Sequence, residues 1–217
     1  MGSTLREIAI PLGEIRLLGS LQPTDGAQGI VVFAHGSGSS RFSQRNRFVA
    51  GVLSDAGLAT LLFDLLTEDE ETVDLVTAEF RFNIDLLAGR LVGVIDWLEI
   101  NEETRGLKIG CFGASTGAAA ALMAAAARPN SVYAVVSRGG RPDLAMEALP
   151  KVIAPTLLIV GSRDNVVIDL NEEAFKALPA ETVKKTVIVP GASHLFEEAG
   201  TLEEVARLAA EWFIEHL

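Results

Sequence analysis

The sequence predicts an α/β fold built on one mostly parallel, doubly wound sheet with helices on both faces. Three observations carry this. Short, largely apolar runs at 30–34, 59–63 and 156–160 read as buried strands. Stretches with helical spacing separate them, so strand and helix alternate along the chain. The 49% hydrophobic content suits central strands covered on both sides. At 217 residues the chain is expected to form a single domain, 1–217, with ample core.

In chain order, residues 5–21 alternate loosely, with Ile8, Ile10, Ile15 and Leu17 apolar around Pro11-Leu12-Gly13-Glu14. This predicts an N-terminal antiparallel hairpin at a sheet edge. After a turn at 23–26 comes the strand 30–34, then His35-Gly36-Ser37-Gly38. A helix is expected from about Ser43, with Phe48, Val52 and Ala56 on one face and Gly57 as its stop. Strand 59–63 leads to Asp64 and an acidic loop over 65–74. A long helix over 78–98 carries Leu87, Leu91, Val94 and Leu98 at helical spacing. Next are strand 107–112, helix 116–127, and strands 132–136, 156–160 and 186–189. Asp169 with Glu172 and Thr201 with Glu204 have capping-box spacing and mark the expected starts of the last two helices.

The formal net charge of −11 argues against nucleic acid or an anionic membrane as partner. One cysteine excludes an internal disulfide framework. Residues 1–7 lack the apolar core of a signal peptide, and no apolar run approaches the roughly 20 residues of a membrane span. The expectation is a soluble cytoplasmic protein, with a homodimer left open.

Between strand 107–112 and helix 116–127 lies Gly113-x-Ser115-x-Gly117, the pattern of a nucleophile elbow. A serine on such a tight turn has a strained backbone, and glycines on either side relieve the crowding. A serine hydroxyl needs a base, and the base needs an orienting group. Of three histidines, His216 ends the chain's last helix, and His35 is expected to shape its own loop. His194, just past the last strand, is the candidate base. Asp164, just past strand 156–160, is the candidate acid, ahead of Asp143 and Asp169. The backbone N–H groups of Thr116 and Ser37 are the expected oxyanion donors. The Gly/Ser loop could instead hold phosphate, but it has neither G-x-G-x-x-G nor a P-loop lysine. Candidate substrate contacts are His35, Gly36, Phe42, Leu66, Met146 and Phe196, with Arg138 and Arg141 as receivers of a substrate carboxylate unless they pair with local acids.

The order Ser115, Asp164, His194, with a His-Gly loop upstream, resembles the α/β-hydrolase superfamily over the whole chain. The small size and Val189-Pro190-Gly191-Ala192-Ser193-His194 look most like its dienelactone-hydrolase-like branch. Namesake enzymes of that branch carry cysteine at the elbow; here it is Ser115, with Cys111 read as core. The resemblance implies an α/β-hydrolase fold. The segment between strands at 137–154 is too short for a sizeable cap domain. It also implies a serine esterase acting on small ester molecules, with no metal or organic cofactor. Thioesterase, lactonase, perhydrolase or acyltransferase chemistry on the same triad, and a non-catalytic receptor, are the alternatives.

Overall fold

The computed structural model describes residues 4–217, so residues 1–3 of the stretch read for a signal peptide lie outside it. The strands are β1 (Arg6–Leu12), β2 (Ile15–Gln22), β3 (Gly29–Ala34), β4 (Ala59–Phe63), β5 (Lys108–Ala114), β6 (Val132–Arg138), β7 (Thr156–Gly161) and β8 (Lys184–Val189). The helices are α1 (Gln44–Asp55), α2 (Glu68–Thr77), α3 (Ile84–Ile100), α4 (Thr116–Ala127), α5 (Asn165–Ala177) and α6 (Thr201–His216). All eight strands join one sheet in the order β1-β2-β4-β3-β5-β6-β7-β8. β2 runs antiparallel to both its neighbours, β1 and β4, and the other pairings are parallel. This is the α/β-hydrolase fold, with its N-terminal hairpin at one edge.

Side chains alternate across each strand, so an apolar strand feeds two cores. Ile30, Val32 and Cys111 pack with Leu91, Val94 and Leu122 of α3 and α4. Val31, Phe33 and Phe112 pack with Val49 and Leu53 of α1 and Val205 and Phe213 of α6. The Phe33 and Phe112 rings meet at 4.9 Å. After β6 the chain makes only two short 3-10 turns, Pro142–Ala145 and Leu149–Lys151, before β7, so no cap domain is inserted between these strands. Among the described residues no helix is long and apolar enough to cross a membrane.

Several local expectations are corrected. Pro11 lies within β1, opposite Arg16, and not in the turn; an edge strand tolerates its missing N–H. In α1 the buried stripe is Val49, Ala50 and Leu53, while Phe48 is exposed. The acidic stretch 65–74 is largely helical. Thr67 and Glu70 form a reciprocal capping box, and four acidic residues in the first turn complement the helix dipole. Ala78, the expected helix start, is the left-handed C-cap of α2, and α3 begins after Asn83. The buried Asp74 carboxylate of α2 accepts from the segment between the helices: Phe80 N (2.7 Å), Arg81 N (3.0 Å) and Arg81 Nε (2.6 Å). Burial alone would raise the Asp74 pKa, but these donors hold it below the usual carboxylate range. Asp169 is interior to α5, which starts at Asn165. Gly200, not Thr201, occupies the N-cap of α6, and Glu204 pairs with Arg207 instead of closing a box.

Candidate active site

Ser115 sits at φ 50°, ψ −121°, in the reversal from β5 to α4. A positive φ is costly for a residue with a Cβ, so tight surroundings must enforce it. They do. A Cβ on Gly113 would come 2.7 Å from Ala118 N, and one on Gly117 would overlap the Ala34 carbonyl at the end of β3. The elbow is also tied to the next strand: Ser115 N donates to Arg138 O (3.3 Å), and Ser115 O accepts from Arg141 N (3.0 Å).

Two strands further along, Asp164 stands at the N-cap position of α5 but makes no side-chain cap bond. Its Oδ2 instead lies 2.6 Å from His194 Nδ1, reaching from the loop after β7 to the loop after β8. Backbone bonds join these loops: Ser162 N to Val189 O (3.0 Å) and Arg163 N to Ala192 O (2.9 Å). Glu198 accepts from Ser193 N (3.0 Å), and that bond holds the Glu198 carboxyl below its usual range. Gly139, one residue past β6, lies against the His194 backbone, so residues 138 and 139 border both Ser115 and His194. Among the described residues no hydrogen bond joins Ser115 to His194.

The loop after β3 passes over the elbow. His35 is buried; its Nε2 accepts from Leu65 N (3.1 Å) and its Nδ1 donates to Gly36 O (3.0 Å). That pattern needs the neutral Nδ1–H tautomer, and burial pushes the His35 pKa down accordingly. A Cβ built on Gly36 would be 3.1 Å from Ser115 Cβ. Ser37 N, expected as an oxyanion donor, donates to Thr116 Oγ1 at 2.9 Å. The Thr116 N–H itself opens α4, where a helix leaves donors unpaired.

A cavity of about 790 Å³ adjoins this loop, lined by His35, Phe42 and Leu66 among others, but Ser115, Asp164 and His194 are not among its lining residues. The other expected substrate contacts lie elsewhere. Met146 lines a separate cavity with Met123 and Lys151. Phe196, with a left-handed backbone (φ 55°), is 1% exposed and packs in the core with residues of α1 and α6. Arg138 is also buried, against Asn46. Arg141 is held by both oxygens of Asp143, at 2.8 and 2.7 Å. Cys111 is fully buried, which pushes its thiol up to about 12 and leaves it inert. Among the described residues no three His, Cys, Asp or Glu side chains gather to hold a metal. Sequence patterning does not reveal the Asp74–Arg81 clamp beside the His35 loop; the Thr67–Glu70 box is the signal that places its helix.

Residues 18–214 match the profile described as the Dienelactone hydrolase family. The chain belongs to the dienelactone hydrolase family. A crystal structure of a dienelactone hydrolase from Anabaena variabilis is 59% identical, with a TM-score of 0.98 over 100% of both chains. The family's hydrolase fold recurs in Est1E from Butyrivibrio proteoclasticus, with a TM-score of 0.80 at 16% identity, covering 96% of this chain and 98% of that one. A curated Mycobacterium tuberculosis protein, provisionally named a phosphoribosyl transferase, is 56% identical over 211 residues. The match takes in 97% of this chain but 46% of that protein, so the chain spans about half the length of this relative.

Proposed function

We propose that this dienelactone hydrolase family member is a serine hydrolase of small to medium carboxylic esters. The observation that carries the reading is the 2.6 Å Asp164–His194 contact, made by an aspartate that forgoes capping its own helix. Ser115 Oγ attacks the ester carbonyl carbon while His194 Nε2, the ring nitrogen left free by Asp164, takes its proton. The tetrahedral oxyanion is received by the Thr116 N–H and the Ser37 N–H, the latter exchanging its bond to Thr116 Oγ1 for one to the oxyanion. His194 then protonates the departing alkoxide, leaving the acyl group on Ser115. Water, deprotonated by the same histidine, releases the acid and restores the serine. The phosphoribosyl transferase name is not carried over, because more than half of that relative lies outside the matched stretch.

The test is intact mass after fluorophosphonate treatment, paired with turnover of short-chain aryl esters. One adduct is expected on the native chain and none on Ser115→Ala, whose ester turnover should vanish with folding unchanged. Normal turnover by folded Ser115→Ala would overturn the assignment.

A further inference from the structure

Arg138 ends β6 and shares the strand face of Ala134 and Val136, the side covered by α1 and α6. It is 8% exposed, and among the described residues no other lysine or arginine is buried to that degree. Its Nη2 lies 3.4 Å from Asn46 Oδ1 in the first turn of α1, while Nε and Nη1 have no acceptor. The charged neighbour acting on it is a second cation, Arg45, whose own buried Nε is also unpartnered. Arg45 reaches Glu197 through Nη1 at 3.3 Å, but no carboxylate pairs with Arg138 among the described residues. Burial, helped by Arg45, lowers the Arg138 pKa to about 10.

An unpaired buried guanidinium is strongly unfavourable, because water is removed from a charge and nothing replaces it. Scarcity of acids does not explain it: the chain has 29 acidic against 18 basic residues. The place is suited to negative charge. The cation Arg45 acts on Arg138, and in the first turn of the 12-residue α1 the Gln44 and Arg45 N–H groups lack a helical acceptor, while Asn46 N is capped by Ser43 Oγ at 3.3 Å.

We propose that Arg138, Arg45 and the first turn of α1 form an internal site for a small inorganic anion. Neither arginine lines the acidic cavity beside the His35 loop, so the site is separate from it. Because the Arg138 carbonyl accepts the Ser115 N–H, the anion would steady the strand end on which the elbow rests.

The test is thermal unfolding of the native chain and Arg138→Met during separate titrations of phosphate and chloride against sodium gluconate at matched ionic strength. A site-bound anion should raise the native Tm by about 5 to 10 °C at roughly 100 times its Kd. Arg138→Met should lack that rise and, with the buried charge gone, should equal or exceed the native Tm in gluconate. The two curves then cross as anion is added. Arg45→Gln, which keeps Arg138, should show a reduced rise and serves if Arg138→Met does not fold. No native rise with either anion, or equal rises in native and variant chains, would overturn the site.

Discussion

Asp164 and His35 show how single side chains here serve a neighbour at the cost of a simpler local role. An aspartate at an N-cap usually accepts a backbone N–H from its own helix. Asp164 leaves α5 uncapped and holds His194 instead. Asp164→Asn should therefore lower ester kcat on the order of 10⁴-fold, since an amide stabilises the wrong imidazole tautomer. Tm should stay level or rise, because asparagine caps helices as well as aspartate. A steep loss of Tm together with activity would instead make Asp164 a structural residue. His35 carries the opposite proton logic. Its folded pKa lies below the unfolded value of 6.5 because it is buried neutral. The stability it contributes is complete above pH 6.5 and is lost as pH falls below that, where only the unfolded chain takes up the proton. The Tm advantage of the native chain over His35→Gln should shrink between about pH 7.5 and 5; an advantage independent of pH would refute the neutral latch.

At the scale of elements, what can be read from the sequence divides by how locally each feature is determined. The elbow is legible because Gly113, Ser115 and Gly117 encode a steric requirement at fixed offsets, and the strained Ser115 backbone meets it. The central strands are legible because burial on both faces leaves unbroken apolar runs. The hidden parts are decided by tertiary partners. The acidity of 65–74 suggests a solvated loop, yet Thr67–Glu70 capping and the Asp74–Arg81 clamp make it a helix and a fixed turn. Asp169 offers a plausible start for α5, but the helix begins at Asn165, directly behind Asp164. Because the Asp164 side chain turns to His194, the true start carries no capping bond that a spacing rule would find. Phe196 and Arg138 sit in loop and strand-end positions that read as cleft-lining, and only the packing of α1 over the sheet buries them.

At the scale of the whole molecule, the charge of −11 is not spread evenly with respect to chemistry. The cavity beside the His35 loop is lined by Glu14, Glu68, Asp69 and Glu71, with Arg16 as the opposing charge. Asp64 also lines it, but Arg41 pairs with that carboxylate. A partly enclosed cavity concentrates such a field. With Arg141 held by Asp143 and Arg138 buried, neither candidate arginine is free to offset it. With a substrate on Ser115 extending past the His35 loop into it, the cavity should favour neutral esters over isosteric ones bearing a carboxylate. The expected ratio of kcat/KM is about tenfold at low salt, falling toward unity near 1 M salt, where the Debye length is about 3 Å. Comparing one neutral ester with its carboxylate analogue across that salt range checks this directly. A preference for the carboxylate ester would mean that the substrate binds away from these acids and outside this cavity.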